Sequence, residues 1–157
     1  MIYNCHGDLN IGMMIRTAAC LGARKVYLIG RRKYDARSVV GSDKYIEVIK
    51  HNEIKDLKKF FFEEDMEPIF VEQGGIDINC FNFKSVYNFN RKPCLVLGSE
   101  CDGIPEDFMK LFPDSVRLSI GQIGVIRSMN VATVCSIILE KFSAVNRKSV
   151  VDKYGLI

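Results

Sequence analysis

Residues that could hold a ligand are concentrated between positions 117 and 142, where a short apolar strand leads through a loop into a helix. The loop has glycines at positions 121 and 124 and ends at Ser128 and Asn130. Either of these polar side chains can cap the helix by accepting from its first free N–H groups. A glycine-rich loop that ends in a capped helix can bind a ligand through backbone groups. Ordinary strand-loop-helix packing fits the same pattern, so both interpretations stay open.

The helix after this loop is apolar on nearly every side. Its apolar residues are Val131, Val134, Cys135, Ile137, Ile138, Leu139 and Phe142. The pattern predicts a helix that is buried on more than one side, either in the core or against a second subunit.

Cysteine and histidine chemistry has little support in this sequence. The six cysteines show no C-x-x-C spacing, and His6 and His51 are the two histidines. The N-terminus does not show the pattern of an export signal, and no apolar run has the length that spans a bilayer. The sequence therefore predicts reduced thiols in packed positions, no metal, no membrane segment and a cytoplasmic protein.

Length, composition and net charge limit the number of domains and the class of protein. The 157 residues are enough for one domain with a substantial core, and we expect a single domain over residues 1–157. The fractions of 48% apolar and 26% charged residues are typical of a globular protein. A net charge of +3 is too small to indicate a nucleic-acid partner by itself.

The elements that must position these residues alternate between strands and helices. Strands are predicted at residues 2–4, 25–29, 45–49, 68–71, 94–97 and 116–120. Helices are predicted at residues 10–21, 54–64 and 105–112, and from about residue 131 onward. Asn10 is expected to cap the first helix, Pro105 to occupy the first position of the third, and Gly74-Gly75 to end the fourth strand. Residues 76–92 show no clear pattern.

This alternation predicts an α/β fold with a mostly parallel sheet flanked by helices. Ligands of such sheets bind outside the carboxyl ends of the strands. Three strand ends carry polar, glycine-containing turns, at residues 73–75, 98–103 and 121–130. The G-x-G-x-x-G and G-x-x-x-x-G-K-[ST] fingerprints are absent from the sequence, which disfavours a dinucleotide site or a P-loop.

Three segments together resemble the SPOUT superfamily of RNA methyltransferases, specifically its TrmH-like ribose 2'-O branch. The segment from Asn10 to Ala18 is similar to the family's N-x-G-x-x-x-R-T-A, and the LVLGSECDGIP segment is similar to L-G-x-E-x-x-G-[IL]. Residues 120–132 are similar to I-P-x-x-G-x-x-x-S-L-N-V. The finer resemblance is to the eukaryotic tRNA guanosine 2'-O-methyltransferase domain. That domain shares the Val71-Glu72-Gln73 turn and the sequence Gly-Val-Ile-Arg-Ser-x-Asn-Val around Ser128.

The resemblance implies a deep C-terminal trefoil knot, in which residues 98–103 and 120–130 form the cofactor pocket. It also implies a homodimer, with the helix that begins near Asn10 and the last helix at the interface. Two positions depart from the family pattern: Cys101 replaces a glycine and Gly121 replaces a proline. Both lie near the cofactor loops, so we expect them to affect cofactor affinity more than activity.

The resemblance further implies S-adenosylmethionine as cofactor and an RNA substrate, and it assigns roles to individual residues. Arg16 would stabilise the reacting hydroxyl and grip a phosphate, and Glu100 would hold Arg16 or the ribose. Asn10, Ser128 and Asn130 complete the catalytic set. The residues that would bind the cofactor are Val71, Gly98, Gly103, Ile120, Ser128 and Met129.

The substrate implied by the finer resemblance is a D-loop guanosine in tRNA. Two alternatives stay open at this point. One is the same reaction at another site, such as the wobble ribose of tRNA or a ribosomal RNA. The other is a catalytically silent knotted module that binds RNA or dimerises.

Overall fold

The computed structural model describes residues 1–30 and 33–154, which form one six-stranded sheet with helices on both faces. The strands are β1 (Ile2–Tyr3), β2 (Lys25–Ile29), β3 (Glu47–His51), β4 (Met66–Asp77), β5 (Lys92–Leu97) and β6 (Arg117–Ser119). The α-helices are α1 (Asp8–Cys20), α2 (Ala36–Val39), α3 (Leu57–Glu63), α4 (Glu106–Lys110) and α5 (Val131–Tyr154). Short 3-10 helices occupy Ser42–Lys44 and Phe83–Asn88.

All neighbouring strands run parallel, in the order β3-β2-β1-β5-β4-β6. The chain builds one half of the sheet outward from β1 and then crosses over, so β5 pairs with the other side of β1. Open parallel sheets commonly bind ligands at such a crossing point, and the turn after β5 lies on one side of it. The predicted α/β class with a mostly parallel sheet is confirmed.

Two apolar layers explain why the strands are continuously hydrophobic. On one face, α1 and α5 bury residues such as Ile15 and Ile138 against the sheet. On the other face, Phe61 of α3 and Phe108 of α4 pack around Phe70 of β4. A strand covered on both faces has no position that favours a polar side chain.

The largest correction concerns β4, which does not end at Gly74-Gly75. It continues to Asp77 through a shift in register, in which Val71 and Ile76 both align with Leu118. Gly74 adopts a φ of +79°, which allows the strand to bulge and then resume its pairing with β6. The segment without clear pattern, 76–92, contains the end of this strand and a 3-10 helix.

Smaller differences concern the ends of elements. β3 lies two residues later than predicted, at Glu47–His51. Helix α3 begins only after Asp56, whose side chain accepts from the backbone N–H of Lys59. Pro105 is the N-cap of α4 rather than its first residue. The predicted limits of β2 are confirmed at Lys25 and Ile29.

Candidate functional site

A cleft of about 530 Å³ opens at the carboxyl ends of β4, β5 and β6. Its lining consists of residues 71–73, 97–103, 118–120, 122, 128–131 and 134. The turns that follow β5 and β6 therefore meet in one place, as the sequence predicted, but the third contribution, residues 71–73, comes from within β4 and not from a turn after it. The six residues predicted to bind a cofactor all line this cleft: Val71, Gly98, Gly103, Ile120, Ser128 and Met129.

One wall of the cleft is a tight turn over residues 98–103. Ser99 and Gly103 exchange two backbone hydrogen bonds, of 3.1 and 3.2 Å, and Asp102 donates its N–H to Ser99 Oγ at 2.9 Å. A Cβ on Gly98 would overlap the backbone of Gly103, and Gly103 has a φ of +65°. Both positions therefore require glycine, and the turn presents bare backbone beside the cleft.

Glu100, at the tip of this turn, is bound by the segment that leads into α1. Its carboxylate accepts from Cys5 Sγ at 3.0 Å, Asn10 Nδ2 at 2.8 Å, and the backbone N–H groups of His6 at 3.0 Å and Gly7 at 3.2 Å. Burial raises the pKa of Glu100, but the hydrogen bonds from Cys5, Asn10 and His6 outweigh burial and lower this pKa to about 2. Glu100 thus stays ionised and fastens the start of α1 to the turn after β5.

A short chain of hydrogen bonds continues from Glu100 to the last helix. Asn130 donates Nδ2–H to Asn10 Oδ1 at 3.1 Å, and Asn130 Oδ1 accepts from the N–H groups of Ala132 at 2.9 Å and Thr133 at 3.4 Å. Asn130 is therefore the cap of α5, and Ser128 is not. The three segments that carried the resemblance are joined through side chains.

Asn10 does not cap α1, contrary to the prediction. The helix begins at Asp8 with Gly7 as its N-cap, so Asn10 lies inside the first turn. Its amide bridges Glu100 and Asn130, while the Glu100 carboxylate accepts from the N–H groups of His6 and Gly7, directly before the helix.

Arg16 and Glu100 are not in contact within the described part of one chain, so of the two partners expected for Glu100, Arg16 and the ribose, the first is not engaged here. The side chain of Arg16 is exposed on α1 and is not among the residues that line the cleft. The hydrogen bonds and ion pairs resolved between described residues include none from Arg16 to Glu100. Met13 and Leu9, one and two turns earlier on the same stripe of α1, are also exposed, at 44% and 56%.

Sequence reasoning missed the roles of Cys5 and Gln73. Cys5 was expected only to pack; it is indeed buried, but its thiol also donates to Glu100. Gln73 donates Nε2–H to the carbonyl of Arg127 at 3.0 Å. Polar residues directly after an apolar strand were the available signal for Gln73, whereas the partner of Cys5 lies 95 residues away in the chain.

The described part of the chain offers neither a metal-binding cluster nor a membrane-spanning helix. Within residues 1–30 and 33–154, no group of three or more His, Cys, Asp or Glu side chains is arranged to hold a metal ion. None of the helices in this part of the chain is both long and apolar enough to cross a bilayer.

Comparisons with known proteins agree with this geometry. A model of the SpoU rRNA methylase family matches residues 1–140. No curated protein matches the chain significantly in sequence.

Several solved structures share the fold. An rRNA methyltransferase from Sinorhizobium meliloti with AdoMet bound has a TM-score of 0.75 at 21% identity, over 94% of this chain and 54% of that chain. A TrmH/SpoU tRNA modifying enzyme from A. aeolicus has a TM-score of 0.76 at 16% identity, over 95% of this chain and 75% of that one. A third structure, which concerns the 2-OH methylation of C/U34 on tRNA, has a TM-score of 0.68 at 19% identity, over 95% of this chain and 94% of that chain. The chain thus spans about half the length of the S. meliloti protein.

Proposed function

Because the chain belongs to the SpoU rRNA methylase family, we propose that it transfers a methyl group from S-adenosylmethionine to a ribose 2'-hydroxyl of RNA. The first substrate to test is a D-loop guanosine of tRNA, as the finer sequence resemblance suggests. The proposal includes a single domain, a C-terminal trefoil knot around the cleft, a homodimer and a cytoplasmic location.

The observation that carries the proposal is the hydrogen-bonded chain Glu100–Asn10–Asn130 beside the cleft. It connects three segments that are far apart in sequence and places their polar groups at the edge of one cavity. A packing scaffold would not need side-chain amides at this edge, since backbone and apolar contacts suffice for packing. A site that orients a substrate hydroxyl needs such groups.

The cleft suits the proposed cofactor in size and lining. Its volume of about 530 Å³ lies within the range of about 300–1,000 Å³ that is usual for small-molecule sites. Gly98 and Gly103 leave backbone groups bare on one wall, and Val71, Ile120 and Met129 supply apolar contacts for a flat ring. S-adenosylmethionine, when bound, supplies an electrophilic methyl group on a sulfonium.

The reacting ribose hydroxyl must be oriented and must lose its proton. Ser128 and Asn130 lie at the cleft and can orient it by hydrogen bonds. Glu100 is a weak base, because its pKa is lowered to about 2, so its role is to hold α1 in place. A guanidinium is a permanent cation, so Arg16 stabilises the developing oxyanion and the adjacent phosphate, and water takes the proton.

The position of Arg16 supports a homodimer. In one chain Arg16 is exposed outside the cleft, beside the exposed apolar side chains of Leu9 and Met13. Ile123 and Ile126, in the loop before α5, are also largely exposed. Pairing of two copies through these apolar residues would cover them and bring Arg16 of one copy towards the cleft of the other.

A second target is favoured by one observation. The structure described by the 2-OH methylation of C/U34 on tRNA is covered over 94% of its length, so that protein and this chain are of similar size. The wobble ribose is therefore the second substrate to test. A ribosomal RNA and the catalytically silent module are the remaining alternatives.

Methyl transfer from labelled S-adenosylmethionine to separate pools of total tRNA and ribosomal RNA tests this function. The assay contains a chelator, and cofactor binding is measured in parallel by titration calorimetry. We expect binding and labelled tRNA. Label in ribosomal RNA would identify ribosomal RNA as the substrate in place of tRNA. Cofactor binding without methyl transfer would favour the catalytically silent module. No binding at millimolar cofactor would refute the assignment of the cleft.

A further inference from the structure

Two consecutive side chains of β4 reach the two loops that face each other across the cleft. Glu72 Oε2 accepts the backbone N–H of Ile104 at 3.0 Å, directly after the turn over residues 98–103. Gln73 Nε2 donates to the carbonyl of Arg127 at 3.0 Å, in the loop before α5. Strand β4 lies between β5 and β6, so these contacts diverge from the middle of the site.

The two loops differ in how firmly they are held. The turn over residues 98–103 closes on itself through the Ser99–Gly103 bonds, and Glu72 adds a tie to β4. The opposite segment, 122–129, is exposed along its whole length. Among the described residues, the bond from Gln73 is the one hydrogen bond resolved for this segment. Gly121 before it is fixed by Asp77 at 2.9 Å, and Asn130 after it by Asn10.

We propose that Gln73 is a positioning residue that holds segment 122–129 against β4 and thereby places Ser128 and Met129 at the cofactor cleft. This inference rests on the proposed function for its ligand. Gln73 itself also lines the cleft, so the mobility of the loop, and not affinity alone, distinguishes positioning from direct contact with the cofactor. The Gln73 amide reaches the segment one residue before Ser128, so loss of the bond frees the part of the loop that lines the cleft. The expected consequence is weaker cofactor binding with an unchanged rate of methyl transfer once the cofactor is saturating.

The size of the effect follows from the type of bond. An exposed, neutral hydrogen bond contributes modestly, so its loss should weaken S-adenosylmethionine binding by about three- to tenfold. Gln73→Met removes the donor and keeps the length of the side chain. Gln73→Glu places a carboxylate against the Arg127 carbonyl and should weaken binding further.

Trypsin gives a readout that does not depend on the cofactor, because Arg127 is itself a cleavage site that is exposed in one chain. Any protection by the proposed dimer contact applies to the unmodified protein and the variants alike, so the ratio of cleavage rates reports the loop. We expect cleavage after Arg127 to become about three- to tenfold faster in Gln73→Met. This holds when cleavage is slow relative to opening and closing of the loop, because the cleavage rate is then proportional to the fraction of open loop. The melting temperature should stay within about one degree. The matched control is Asn90→Ala, an exposed amide residue just before β5, at the end of the strand away from the cleft.

The complete experiment measures cofactor affinity, turnover at saturating cofactor, and cleavage after Arg127, in the unmodified protein and the three variants. Weaker affinity, faster cleavage and unchanged turnover in Gln73→Met and Gln73→Glu, but not in Asn90→Ala, would establish the positioning role. Unchanged affinity and cleavage would overturn it, and so would reduced turnover with unchanged cleavage. If the unmodified protein binds no S-adenosylmethionine, the proposed function fails, and the cleavage rates alone then decide whether Gln73 holds the loop.

Discussion

Replacement of Glu100 by Gln should remove a specific part of the pH dependence of folding stability. Glu100 accepts from Cys5, His6, Gly7 and Asn10, and its pKa falls from an ordinary value of 4.5 to about 2. At face value this shift amounts to about 3 kcal/mol of stability at neutral pH. Because Glu100 is exposed to solvent, screening reduces the expected contribution to about 1–2 kcal/mol.

The sign follows from the direction of the shift. A carboxyl group with a lowered pKa in the folded state stabilises the protein above its unfolded pKa, and this stability is lost as the pH falls towards the folded pKa. The unmodified protein should therefore lose about 1–2 kcal/mol between about pH 5 and pH 2 through this group. Glu100→Gln cannot ionise, so it should be less stable by this amount at pH 7, and the difference should shrink as the pH falls.

Urea unfolding at several pH values measures this difference directly. Glu106→Gln is the matched control, since it removes one exposed glutamate with the same change of charge at the start of α4. The control should follow the unmodified protein at every pH. Parallel loss of stability by the unmodified protein and Glu100→Gln between pH 5 and pH 2 would refute the role assigned to the Glu100 hydrogen bonds.

Four further predictions concern catalysis, capping, assembly and the cleft. Arg16→Ala should slow single-turnover methyl transfer by roughly a hundred- to thousandfold with little change in cofactor affinity, and Arg16→Lys should recover little; an unchanged rate would remove Arg16 from the chemistry. Asn130→Ala should lower the free energy of unfolding by about 1–2 kcal/mol through loss of the α5 cap, measured by urea unfolding, and a change within error would contradict this. Met13→Asp should yield monomers in light scattering, because a charge would be buried at the proposed dimer contact; an unmodified chain that is already monomeric would exclude that contact. Gly103→Ala should weaken S-adenosylmethionine binding in calorimetry, because its Cβ would collide with Glu72 at a positive φ, and undiminished affinity would count against the cleft.

The sequence predicted the parts of the fold that local pattern determines. The β2 strand is a continuous apolar run closed by a glycine, and its limits were right. The cleft followed from a general rule, because polar turns after neighbouring parallel strands meet at one edge. The bulge in β4 could not be predicted, since Gly74-Gly75 ends a strand in most settings. Only the pairing of Ile76 with Leu118 reveals that the strand resumes.

Predictions for individual side chains of the site were least accurate where the bonding partner lies far away in the sequence. Asn10 has the chemistry of a helix cap, but it lies inside the first turn of α1, and its amide bridges Glu100 and Asn130. The resemblance assigned Arg16 to the reacting hydroxyl, but the sequence could not tell whether its side chain reaches the cleft of its own chain. Ile138 was a candidate for the subunit contact, yet it is fully buried within one chain, so the exposed Met13 is the better position to test.

The most direct test of the central claim is the chemical identity of the methylated nucleoside. Total tRNA is treated with the protein and labelled S-adenosylmethionine, digested to nucleosides, and examined by mass spectrometry. The proposed function predicts label on the ribose, as a 2'-O-methylated nucleoside, with 2'-O-methylguanosine as the expected product. Label on a base, or no transfer to RNA by a protein that binds the cofactor, would contradict the claim.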